Sequence, residues 1–189
     1  MDDTERHHTE RHDTERHDTE RHHTERHDID QNGTERNGAD RMDDVEALRH
    51  LHDAGDYLRL AERTSHPEVL RRLAVGEYSF VWHAIARNAA APADLLVALS
   101  TRRHSTWNDN HLLQLLAVHP ALTGADLDGL VDLLAARLRE GDRPYAAVLA
   151  LARRPEPSAE RLHGLGQLPG ASTRLRRGIT RALAARPER

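Results

Sequence analysis

The sequence predicts an all-α protein, an α-solenoid of about four to five helix pairs preceded by a disordered N-terminal tail. Three observations carry this expectation. Residues 1–41 of the 189 hold seven Arg, thirteen Asp and Glu, and only Met1, Ile29 and Ala39 as apolar residues, so they have nothing from which to build a core. From Met42 onward the apolar residues recur at three- and four-residue spacing, the period of a helix face. One helix-ending pattern then returns along the chain at intervals suited to stacked helix pairs. The expected division is a tail over 1–41 and a helical repeat domain over 42–189.

The tail reads TERHH, TERHD, TERHD, TERHH, TERHD from Thr4, then IDQNG and TERNG. A five-residue step turns about 140° net on a helix, and an odd step changes face in a strand, so neither element gains an apolar stripe. Its net charge is −6. Such a segment cannot offset the entropy of ordering, which predicts disorder. His8/His12 and His23/His27 have the i, i+4 spacing that a helical turn would offer to a divalent metal. The alternative is a solvated polyampholyte whose imidazoles titrate freely, and no metal or other cofactor is assigned.

The body starts with a short amphipathic turn over Met42, Val45, Leu48 and Leu51, expected to end near Gly55, followed by a second over Tyr57 to Arg63. Ser65-His66-Pro67-Glu68 has the form of a capping box ahead of Val69, Leu70 and Leu73. Thr123-Gly124-Ala125-Asp126 starts the next such run, with Ser158 and Ser172 as further N-caps. Helices end in an apolar residue, Ala, a variable residue and a polar one: Ile85-Ala86-Arg87-Asn88, Leu116-Ala117-Val118-His119, Leu151-Ala152-Arg153-Arg154, Leu183-Ala184-Ala185-Arg186. Val81, Leu112, Ala147 and Ile179 stand one turn earlier on the same face. A Leu-x-x-Leu pair then recurs at Leu70/Leu73, Leu96/Leu99, Leu127/Leu130 and Leu162/Leu165, at intervals of 26, 31 and 35 residues. Stacking of such units makes the core, because no single helix pair buries its own apolar face.

The run Ala86-Arg87-Asn88-Ala89-Ala90-Ala91-Pro92-Ala93-Asp94-Leu95-Leu96-Val97-Ala98-Leu99 resembles the unit of the leucine-rich repeat variant proteins, a HEAT-like α-solenoid family. The likeness is close over this unit and looser from about Leu60 to Arg186. Ala89 stands where that unit carries its first Pro, and Thr123 and Ser158 stand at its second. The resemblance implies a curved helical scaffold that binds protein, peptide or occasionally nucleic acid, and it implies no reaction. The iron-sulfur cluster of some members does not carry over, since the chain has no Cys.

Composition narrows the chemistry further. All 27 basic residues are Arg, so Schiff-base, pyridoxal and phosphate-loop lysines are excluded, and the lack of Cys excludes thiol nucleophiles and disulfides. No His-Glu-x-x-His, Gly-x-Ser-x-Gly or Gly-rich phosphate loop occurs, and Gly164, Gly166 and Gly170 read as a turn. The expected function is non-enzymatic binding of a protein or peptide. The alternative is binding of nucleic acid or another polyanion at the basic C-terminal end, where residues 150–189 carry nine Arg against three Glu. A HEAT-like DNA glycosylase using Trp82, Trp107 and Asp109 is the most remote reading.

Candidate partner-binding residues are Trp82, Arg87, Trp107, Arg153, Arg154, Arg174 and Arg177. Trp82 borders the predicted stripe of Phe80, Val81, Ala84 and Ile85, where it either anchors a partner or packs against the next unit. Trp107 falls in residues 101–110, an expected loop insertion between units. The arginines either grip phosphate or carboxylate through the guanidinium fork or form the solvated face of their helices. The longest apolar run, Tyr145 to Ala152, is far short of a membrane span, and the start lacks a signal-peptide layout, so a cytoplasmic protein without a membrane partner is expected.

Overall fold

A computed structural model of the protein describes residues 44–186. The pentapeptide tail with its His pairs, and the expected terminal Pro187, lie outside the described residues. Among those described there is no strand. Residues 44–47 are helical and run into a 3-10 turn, Leu48–His50. There follow α1 (Ala54–Arg63), α2 (Pro67–Ala74), α3 (Ser79–Ile85), α4 (Ala93–Ser100), α5 (Thr106–Val118), α6 (Gly124–Arg139), α7 (Tyr145–Leu151), α8 (Ala159–Leu165) and α9 (Thr173–Ala184).

Local chemistry sets the boundaries. Asp53 caps α1: its Oδ1 accepts the Asp56 N–H at 2.9 Å while Asp56 Oδ2 accepts the Asp53 N–H at 3.2 Å. Gly55 therefore lies inside the first turn of α1 instead of ending the preceding one. At α2 the expected Ser65 cap gives way to His66, because Pro67 occupies the first turn, where a missing N–H costs nothing. Ser158 and Ser172 do cap, accepting from the N–H groups of Arg161 and Leu175. Ser105 caps α5 through the Asn108 N–H. Residues 106–110, read from sequence as loop, thus form the first turn of a helix, and the insertion shrinks to 101–105.

The odd-numbered helices pack in succession, α3 on α1, α5 on α3, α7 on α5 and α9 on α7. Of the others, α2 contacts α1 and α3, α4 contacts α5 and α6, and α8 contacts α6, α7 and α9. All eight residues of the Leu-x-x-Leu pairs are buried in one cluster, together with Val81, Leu112, Ala147, Ile179, Ile85, Leu116 and Leu151. Leu183 is partly buried against it. Ion pairs join α2 to α4 through Arg71 and Asp94, and α8 to α6 through Arg161 with Asp128 and Asp132. These are exposed and screened by water and salt, so packing carries the stability.

The polar residues that close the four aligned helix ends make a hydrogen-bonded ladder through the stack. Asn88 Nδ2 donates to the carbonyls of Ala61 and Thr64, at 2.8 Å each. His119 Nε2 donates to the Asn88 carbonyl at 3.1 Å. Arg154 donates to the His119 and Leu122 carbonyls, and Arg186 to those of Ala152, Pro157 and Leu151. Each rung ties the end of one odd-numbered helix to the backbone at the end of the odd-numbered helix before it. Carbonyls left over where a helix stops are thereby satisfied within the stack.

Candidate functional site

A groove of about 770 Å³ opens between α7 and α9. Arg153, at the end of α7, faces Arg174, Arg177 and Arg181, which follow one another at i, i+3 and i+7 along α9. Leu149, Gly178 and Ala182 form its apolar wall and floor. Among the described residues none of the four arginines forms an ion pair. A guanidinium keeps its charge at any physiological pH, so the groove is a fixed cationic surface with five N–H donors per arginine to offer.

Gly178 lets α7 and α9 approach closely beside the groove. A Cβ there would lie 2.7 Å from Leu149 Cδ2, so the missing side chain lets Leu149 seat directly on the α9 backbone. Counting from the aligned residues Ile85, Leu116, Leu151 and Leu183, the α3/α5 boundary presents the same offsets with different side chains. His83 stands where Leu149 does, His111 where Gly178 does, Arg87 where Arg153 does, and Trp107 where Arg174 does. The contacts agree: the His83 and His111 rings meet edge to face at 4.7 Å, as Leu149 meets Gly178. Two rings meet at the first boundary, and at the second the Leu149 side chain packs on a glycine.

At that first boundary Arg87 donates to His111 Nε2 at 3.0 Å, which fixes the proton of neutral His111 on Nδ1. Trp107 stacks on His111 with ring centroids 5.6 Å apart, and 73% of its surface remains exposed. His83 is buried and its Nε2–H donates to the Asn108 carbonyl at 3.0 Å. Burial holds the His83 imidazole below its usual pKa, with the nearby His111 and Arg87 adding to the effect. His111 is likewise lowered, by burial first and Arg87 second.

Of the seven residues singled out from sequence, Arg153, Arg174 and Arg177 converge on the groove, and Arg87 and Trp107 share the His111 cluster. Two are placed elsewhere. Trp82 is 4% exposed, its Nε1–H donates to the Gly76 carbonyl at 2.8 Å, and Arg102 lies over its ring, so it packs the interior and is no surface anchor. Arg154 is withdrawn from the basic face, because its guanidinium binds the His119 and Leu122 carbonyls and pairs with Glu156. Asp109 is buried, accepts the His104 N–H at 2.8 Å and lies 3.9 Å from the buried Arg137. Trp82, Trp107 and Asp109 thus have three separate sets of partners.

Sequence reasoning missed His83, His111, Leu149 and Gly178. The four aligned helix ends held the signal, since equal offsets from them pick out all four. No group of three or more His, Asp or Glu suited to a metal ion occurs among the described residues, and no helix there is long and apolar enough to cross a membrane. Comparison of the chain with family models, with curated proteins and with solved structures finds no match.

Proposed function

We propose that the chain is a non-enzymatic binding scaffold, an α-solenoid of the leucine-rich repeat variant or HEAT-like kind, that holds an acidic peptide segment in the groove between α7 and α9. The observation that carries this reading is the convergence of Arg153, Arg174, Arg177 and Arg181 on one open groove without an acidic partner among the described residues. Guanidinium forks match carboxylates bidentately, and an exposed pair is worth only about 0–1 kcal/mol, so the four act together with the wall of Leu149 and Ala182. The groove lining offers no carboxylate or imidazole to serve as a general acid or base. The alternative reading, a nucleic-acid backbone in the same groove, uses the same guanidinium chemistry.

Fluorescence anisotropy with a labelled oligoglutamate peptide and a labelled oligothymidylate tests both. The peptide is expected to bind and to lose about tenfold or more in affinity with Arg174→Ala/Arg177→Ala, at unchanged melting temperature because both side chains are exposed. Tighter binding of the oligothymidylate, with affinity falling steeply as salt rises, favours the nucleic-acid reading instead.

A further inference from the structure

We infer that the acidic peptide does not end at the groove but continues across α5, where an aromatic or large apolar side chain of the same peptide stacks on Trp107. This rests on the binding reading given above and specifies its partner. Trp107, His111, Gln114 and Val118 follow one another along a single outward stripe of α5. Trp107 and Val118 are 73% and 59% exposed, so this stripe offers apolar surface to solvent on the helix between α3 and α7.

The offsets place that stripe and the groove on one face. Trp107 stands nine residues before Leu116 and Arg174 nine before Leu183; Val118 stands two after Leu116 and Arg153 two after Leu151. The Arg87–His111 contact across α3/α5 and the shared lining of Arg153 and Gly178 across α7/α9 repeat the same geometry. Since α5 packs on α7 and α7 on α9, a chain running directly across the helices from Trp107 meets the exposed Ala146 of α7 and then the arginines of α9. Packed helices are about 8–10 Å apart, so two steps cover about 16–20 Å, which about five or six extended residues span.

His111 makes Trp107 a prepared platform. Stacked on an imidazole that Arg87 holds in place, the indole keeps one face against the protein and the other in water. The occupant is therefore a peptide with an aromatic residue about six positions from an acidic run. The charge complement of the four arginines selects the acidic part, and the indole selects the ring.

The test compares two fluorescein-labelled peptides, Phe-Ser-Gly-Ser-Gly-Ser-Glu-Glu-Glu-Glu and its counterpart with Ala in place of Phe, on the full chain. The Phe peptide is expected to bind about five- to tenfold tighter. Trp107→Ala should erase that advantage while leaving the affinity of the Ala peptide unchanged, and Trp107→Phe should restore most of it. Equal affinity of the two peptides, or a Phe advantage that survives Trp107→Ala, overturns the inference. In that case loss of both peptides with Arg174→Ala/Arg177→Ala leaves the groove reading standing. If neither peptide binds the full chain, both fail together.

Discussion

His119 Nε2 donates to the Asn88 carbonyl at 3.1 Å, and His119 Nδ1 accepts the Ala121 N–H at 3.1 Å, so the neutral ring spans two helix ends as donor on one side and acceptor on the other. Asn88 in turn holds Ala61 and Thr64, and Arg154 holds the His119 carbonyl. The polar residue that follows each apolar-Ala-x motif is thus a fastening between successive odd-numbered helices. Asn, His and Arg all perform that task, because each reaches backward to backbone carbonyls.

The ladder makes a first prediction. Asn88→Ala removes both bonds to the α1 end and the acceptor of the Ala90 N–H at once. Carbonyls left without a partner at a packed helix end should cost about 1–3 kcal/mol. Gln114→Ala, on the exposed face of α5, should cost a few tenths at most. Urea denaturation of the two variants compares them, and equal midpoints would mean that water replaces the ladder without loss.

Two glycines should respond in opposite directions. A Cβ on Gly170 would fall 2.2 Å from the Leu138 carbonyl oxygen, in a loop that is also held by the Tyr145 hydroxyl donating to the Gly170 carbonyl at 2.7 Å. Backbone cannot rotate away, so Gly170→Ala should cost about 1–3 kcal/mol. Gly129, in the exposed middle of α6, meets nothing within 4 Å, and Gly129→Ala should stabilise by up to about 1 kcal/mol through helix propensity. Melting temperatures that shift the same way would show that local space does not govern these positions.

Leu96 and Leu127 are both fully buried in the shared cluster, on α4 and α6. Leu→Ala at either should cost about 2–5 kcal/mol, the loss of transfer energy plus a cavity between packed helices. A loss of only a few tenths in chemical denaturation would place these side chains outside the core.

The core was legible because helical burial imposes a strict spacing: Leu70, Leu96, Leu127 and Leu162 each have a partner three residues on, and all are buried. The sequence left Trp82 open between anchoring a partner and packing inside, since its burial depends on the Gly76 carbonyl and Arg102 closing over it, which no local period records. The start of α5 was hidden because Thr106-Trp107-Asn108-Asp109-Asn110 is polar and the capping Ser105 has no Glu or Gln three residues later. Arg153 and Arg154 looked equivalent in sequence. Both lie in the turn after α7, where Arg153 lines the groove and Arg154 reaches the His119 and Leu122 carbonyls.

The last prediction concerns mild acid. His83 and His111 both have folded-state pKa values held below the usual value near 6.5, chiefly by burial, and the groups facing His83 are the Asn108 carbonyl, His111, Arg87 and Asp109. Arg87 opposes protonation of both rings, and Asp109 only partly offsets this at His83. With folded pKa values below the unfolded one, the unfolded chain takes up protons first as pH falls. The contribution of the neutral pair is therefore complete above about pH 6.5 and is lost as pH drops through the folded values. Asp94 and Glu156, held below the ordinary carboxylate range by Arg71 and Arg154, lose their contribution only below about pH 4.5. Urea midpoints at pH 7.5 and 5.5 should isolate the histidines. The wild-type midpoint should fall between these two values, and His83→Gln/His111→Gln, which keeps an amide donor for the Asn108 carbonyl but cannot titrate, should show a smaller fall. An equal fall in both proteins would assign the acid sensitivity to other histidines of the chain.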